Sequence, residues 1–233
     1  MTDTTAVVPA ISASVEDRTA FLRRVAVWTI AGLFVTAITS LLSMAFVVPM
    51  VVRGGTLAIL LVVYGSFFAG QTVGRRMVYG ESKVAGFLLG MSAQGVALGF
   101  LLLFTLVAGN VSDGLKVITY ALVLTLLASV AMLMYVSMER REFSLLKAGL
   151  SMLFIPMLCL MGLQLVFPID GTWGLAISAI FVLVSVGAML WKLNQVLYVM
   201  PTTMTIEGGF EVSLGIVVLF WNVLSLLNRV RRR

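Results

Sequence analysis

The chain has 233 residues, 61% of them hydrophobic and only 11% charged, with a net charge of +6 and a mean hydropathy of +1.10. A soluble domain runs nearer to about 45–50% apolar and about 25% charged, so this chain cannot cover itself with polar surface in water. It has no histidine and one cysteine, Cys159, which excludes His-based catalysis, His-ligated metals and haem, an intrachain disulfide and a cysteine cluster.

Residues 1–20 are polar and mixed in charge, without the basic start and apolar core of a secretory signal. They are expected to form a flexible polar tail, with 21–233 as one transmembrane helical domain. Ser14 followed by Asp17 alternatively fits a capping pair for a helix running through Phe21. Seven apolar segments follow: 25–48, ended by Pro49; 55–73; 84–108; 115–137; 145–167, closed by Pro168; 173–200, stopped by Pro201; and 210–230, followed by arginines. Each reaches the about 20 residues that a bilayer span requires. The fold class is therefore all-α, a polytopic membrane helix bundle.

Lys and Arg in the loops set the orientation. Arg18, Arg23 and Arg24, then Arg75, Arg76 and Lys83, then Arg140, Arg141 and Lys147 fall on the side of the tail; the other face has Arg53 and Lys116 in its loops. The N-terminus is expected to be cytoplasmic, in a bacterial inner membrane. Seven full spans would then place Arg229, Arg231, Arg232 and Arg233 outside, unless the last segment is re-entrant; both arrangements stay open here. The basic residues sit at membrane edges, where they meet anionic head groups, and do not mark a nucleic-acid surface.

The third segment carries Gly86, Gly90, Gly95 and Gly99, and the second ends Gly70-x-x-x-Gly74. Such positions let helix backbones approach closely in lipid, either inside the bundle or on a homodimer face. Ionisable and amide groups at membrane depth are costly and mark function. Gln71, Gln94 and Gln164 fit interhelical hydrogen bonds. The candidate polar core is Lys192, Asn194 and Gln195 in the sixth segment, Glu207 in the connector, Glu211 at the start of the seventh and Asn222 at its middle. Lys192 either snorkels to the interface or pairs with Glu207 or Glu211. Asn222 is expected to face other helices.

Four stretches, in order, resemble the Bax inhibitor-1 family, including its bacterial YccA-like branch. They are RTAFLRRV at 18–25, Tyr135 with REFSLL at 141–146, WKLNQV at 191–196, and 214–227 around Asn222. The resemblance implies six helices around a central seventh, and a role as a pH-sensitive calcium leak or a modulator of membrane protein quality control. It also implies two facing aspartates, one on helix six and one on helix seven. The matching positions here are Lys192 and Leu219, and neither is a carboxylate.

These readings lead to a non-enzymatic integral membrane protein, without cofactor or metal, that acts as an accessory or regulatory partner or scaffold of another membrane protein or complex. Its interface would be rich in aromatic and small residues, such as Phe67 and Phe68 or the third-segment glycines. The alternative is a cation leak of the family type, gated near Glu207 or Glu211.

Overall fold

A computed structural model describes residues 10–108, 110–138 and 171–232. Six of its helices are long and apolar enough to cross a membrane: α1 (Val15–Val52), α2 (Gly55–Val78), α3 (Lys83–Val107), α4 (Val111–Met138), α5 (Gly171–Val199) and α6 (Thr205–Arg231). The expected segment 145–167 lies outside the described residues.

Local chemistry explains where these helices begin and why several run past their expected ends. α1 starts inside the stretch expected to be tail, because Ser14 caps it: its Oγ accepts the Asp17 N–H at 3.1 Å. The capped end also carries Glu16 and Asp17, which favour the positive end of the helix dipole. Pro49 was expected to end the first span, yet the helix continues through it. The turn just before it, Ser43–Val47, is widened to the i→i+5 pattern. This gives the proline ring room where a regular turn would clash with the carbonyl four residues back. Similar widened turns occur at Gly70–Gly74 in α2 and Gln195–Val199 in α5.

The last helix is the axis of the bundle. α6 packs against α1, α3, α4 and α5 and touches the end of α2. Its buried positions, among them Phe210, Leu214, Leu219 and Leu224, occur all round the helix. α3 is also buried along half of its span, while α1, α2, α4 and α5 bury less and expose apolar side chains such as Phe34, Leu61, Leu127 and Leu183, as lipid-facing helices do. α6 is a continuous 27-residue helix, about 40 Å long at 1.5 Å per residue. The chain does not double back within this segment. Its first turns lie beside the α2–α3 connection, with Glu207 on Lys83. Its end lies at the end of α3, where Asn228 Nδ2 donates to Thr105 Oγ1 at 2.7 Å and Arg231 Nη2 donates to the Thr105 carbonyl at 2.9 Å.

The glycines of α3 all turn inward. A methyl group at Gly74 would come within 2.6 Å of the Gly90 Cα, and one at Gly90 within 2.6 Å of the Phe210 ring. α2, α3 and α6 thus meet at backbone distance. Gly95 and Gly99 face α1 in the same way, against Thr36 and Thr39 and against Ser40 and Ser43. These glycines are internal packing surfaces, not an outer interface. Phe67 also turns inward, its ring 6.2 Å from that of Trp221.

Close approach lets small hydroxyls reach a neighbouring helix. Thr36 Oγ1 donates to the Met91 carbonyl at 3.2 Å, Ser43 Oγ to Val96 at 3.0 Å, and Ser213 Oγ to Thr29 at 3.2 Å. Of the expected glutamine links, Gln94 Nε2 donates to the Phe67 carbonyl at 3.0 Å, while Gln164 lies outside the described residues. Asn222 is half-buried, and its Nδ2 donates to the Val218 carbonyl of its own helix at 3.1 Å. That bond uses one of the amide's two N–H groups.

Gly90→Val should destabilise the bundle by about 1–3 kcal/mol through overpacking. Gly65→Ala, which meets nothing within 4 Å, should be neutral or slightly stabilising through helix propensity. Thermal unfolding in mild detergent compares the two, and equal midpoints would contradict the close-approach account.

Candidate functional site

Glu207 and Glu211 stand four residues apart in the first turns of α6, so both carboxylates point the same way from the central helix. The expectation placed Glu207 in a connector, but α6 begins at Thr205 and carries both acids inside the bundle. Their side chains are only 2% and 3% exposed. A carboxylate in such surroundings is costly unless it is paired. Here α2, α3 and α5 each bring a cation.

Glu211 is held from two sides. Arg75, in the last turns of α2, places Nε 2.7 Å from Oε1; Lys192, in the last third of α5, places Nζ 3.2 Å from Oε2. The lysine contact is an ion pair without hydrogen-bond alignment, since Oε2 accepts no hydrogen bond. Tyr79 adds its Oη–H to Oε1 at a long 3.4 Å. Glu207 is paired with Lys83, the first residue of α3, at 2.6 Å, and its Oε2 accepts no hydrogen bond.

Three helices therefore converge on one end of the central helix, and other contacts close that end. The Ala10 N–H donates to the Met200 carbonyl at 3.0 Å, and Tyr198 Oη donates to the Val136 carbonyl at 2.8 Å. Arg18 lies over the Tyr198 ring, 5.3 Å from its centroid.

The expected polar core separates into parts. Lys192 pairs with Glu211, which settles the choice against simple snorkelling: its side chain is 15% exposed. Gln195 lines a cavity of about 80 Å³ together with Arg75, Tyr79, Trp191, Lys192, Met200 and Glu211. Asn194 is buried nearby on α5. Asn222 stands apart, eleven residues beyond Glu211 and so about 16 Å further along α6. Leu219, the position that matches the second family aspartate, does not stand against Lys192. Leu219 is fully buried in an apolar cluster with Met189, Leu193 and Leu224, two turns past the site. The side chain that faces Lys192 is Glu211.

Sequence reasoning missed Arg75, Tyr79 and Lys83 as site residues and read the two cations only as topology markers. Two acids on one apolar spanning segment call for two or more cations, and this was the available signal. Which cations would serve depends on how α2 and α3 fold back onto α6. Arg75 and Tyr79 also line an outer groove of about 610 Å³ with Gln71, Thr72 and Arg76.

Such a fold and site define a multi-pass α-helical membrane protein whose central helix carries a paired-charge cluster at one end. The family model described as inhibitor of apoptosis-promoting Bax1 matches residues 18–232, and the chain belongs to the Bax inhibitor-1 family. Among curated proteins no match to the chain is found.

Two outcomes check the site. Glu211→Gln leaves Arg75 and Lys192 facing each other without a counter-charge, and should cost about 3–5 kcal/mol. Adding Lys192→Met should recover much of that loss in thermal unfolding. A single variant as stable as the parent would show that the pairing does not hold this end.

Tyr79 follows the last residue of α2. Burial, and after it the Glu211 carboxylate, push its phenol up to about 12, against the pull of Arg75. The unfolded chain loses this proton near pH 10, and the folded chain holds it to about 12. Its contribution is therefore fully present below about pH 10 and is lost as pH rises from about 10 to about 12. Tyr79→Phe should flatten the stability profile in that window. An unchanged alkaline profile in the variant would contradict the coupling.

Proposed function

We propose that this chain keeps the helix bundle of its family as a scaffold and acts by contact with another membrane protein, without conducting cations through its core. The observation that carries this reading is the clamped carboxylate: Glu211 lies between Arg75 and Lys192. A divalent cation wants several oxygen ligands. Here cationic side chains occupy the space from which a second carboxylate would have to reach. Arg75, Lys83 and Lys192 stand against Glu207 and Glu211, three positive charges to two negative, and this local field repels a cation. Two carboxylates sharing a proton shift each other's titration and can act as a pH gate; a lysine beside a glutamate forms a pair that neutral pH leaves closed. With its core closed by its own ion pairs, the bundle's outward surfaces and loops are where it works, as an accessory or regulatory partner and not as an enzyme.

The Lys and Arg distribution supports an N-terminus on the cytoplasmic side of a bacterial inner membrane. In that orientation the charged cluster lies at the cytoplasmic end of α6, and the C-terminal arginines lie on the other side.

A second reading, a gated cation leak, has one specific observation in its favour. The inner cavity borders Glu211, and Arg75 and Tyr79 line both this cavity and the outer groove. A rotation of those two side chains would connect them.

The two readings separate in liposomes. Wild-type protein should give no calcium flux above empty vesicles across neutral pH. Lys192→Asp, which sets a second carboxylate beside Glu211, is the variant expected to gain pH-dependent flux. Clear pH-dependent flux in the wild type would overturn the scaffold reading. Purification in gentle detergent should yield the chain with a stoichiometric membrane partner; a lone monomer that also conducts would establish the leak.

A further inference from the structure

We propose that the outer groove at the end of α2 is a binding site for the phosphodiester headgroup of an anionic membrane lipid, whose acyl chain lies along the exposed face of the same helix. The groove, about 610 Å³, is lined by Gln71, Thr72, Arg75, Arg76 and Tyr79. It offers two guanidinium groups and an amide able to donate to phosphate oxygens, while the Thr72 hydroxyl already donates to the Phe68 carbonyl and the Tyr79 phenol to Glu211. Among the described residues no carboxylate lines it, although Glu211 lies just behind Arg75.

The two arginines are in different states. Arg75 is already engaged through Nε with Glu211, is half-exposed, and has its guanidinium 6.0 Å from the Tyr79 ring centroid. Arg76 is exposed and forms no ion pair with the described residues. A planar guanidinium fork that no protein carboxylate claims is suited to bidentate phosphate recognition.

The helix below the groove argues for a lipid over a free phosphate. Leu57, Leu61, Phe68, Thr72 and Arg76 recur at spacings of four, seven, four and four, which places them along one face. Leu57 is 72% exposed and Leu61 66%, and Phe68 is exposed as well. The stripe is apolar for its length and turns polar and cationic only at Thr72 and Arg76, at the end of the span. An acyl chain against the stripe brings its phosphate to the groove, at the depth where basic residues meet anionic headgroups. The widened turn Gly70–Gly74 lies at this transition and shifts Arg75 and Arg76 relative to a regular helix. Because Arg75 lines both groove and inner cavity, a bound headgroup lies one guanidinium away from Glu211.

The test uses the full chain in mild detergent and in nanodiscs, with native mass spectrometry to count retained lipids and a thermal midpoint as second readout. Phosphatidylglycerol should be retained in preference to phosphatidylcholine and should raise the midpoint. Arg76→Gln should weaken retention about fivefold, the equivalent of one interfacial basic residue. Arg76→Lys, which keeps the charge but not the fork, should lose most of the same preference. Arg53→Gln, at the α1–α2 connection, should leave it unchanged. Arg76 has no ion-pair partner among the described residues, so its loss should leave the fold intact, and the lipid-free midpoint checks this. Equal retention of the two lipids, an Arg76→Lys protein that behaves like the parent, or equal losses in the Arg76→Gln and Arg53→Gln proteins would overturn the site in favour of diffuse surface attraction. Displacement of the lipid by excess inorganic phosphate would overturn the assignment to a lipid.

Discussion

Two carboxylates carried on the central helix of an apolar bundle must be neutralised, and much of the arrangement at that end of the molecule meets this demand. Glu207 and Glu211 are nearly fully buried, where an unpaired charge would cost several kcal/mol. Pairing them requires α2 to end beside α6, α3 to begin there, and α5 to bring Lys192 alongside. The site is thus also a structural joint, which fastens three helix ends to the first turns of the axis. A buried ion pair is weak evidence of net stability, because desolvation offsets much of the attraction. Its clearer effect is on specificity: a register shift of any of these helices would leave a charge alone in apolar surroundings.

The rest of the bundle follows from close approach. In lipid, helices gain little hydrophobic energy from associating, so backbone contact and interhelical hydrogen bonds take on more of the work. Gly74 and Gly90 bring α2 against α3, and Gly90 gives Phe210 of α6 its seat. Once backbones are this near, Thr36, Ser43 and Ser213 reach carbonyls on the facing helix. The same closeness holds Arg75 within reach of Glu211. The glycines and the charged cluster are therefore parts of one arrangement, with packing along the helices and charge pairing at their ends.

At the two positions where the family resemblance implies aspartates, this chain has Lys192 and Leu219, and the side chain that faces Lys192 is Glu211, two turns before Leu219. The exchange of both aspartates leaves a lysine–glutamate pair, which attracts where two carboxylates repel. The bundle can be retained under that exchange, because helix packing is set elsewhere, by α3 glycines and the apolar faces of α6. What changes is the chemistry that a cation or a proton meets at the end of the axis. The inner cavity beside Glu211 and the open groove outside it share Arg75 and Tyr79 as lining residues.

Composition and hydropathy alone established a polytopic helical membrane protein, and four short stretches pointed to its family. They did so because spanning length and apolar content are local properties that lipid imposes on each segment separately. The sequence likewise marked Lys192, Glu207 and Glu211 as costly groups at depth, and the α3 glycines as contact points. Local rules erred where a neighbour could compensate. Pro49 looked like a helix end, but a widened turn absorbs it. Only the tertiary structure decided which charges meet. Arg75 and Lys83 read as loop charges, and Leu219 stood as the partner position of Lys192, until folding set Glu211 between Lys192 and Arg75. The physical reason is that these charge pairs form between different helices, and those of Arg75 and Lys83 join positions more than a hundred residues apart in the chain. Their existence depends on crossing and register, which no single helix encodes.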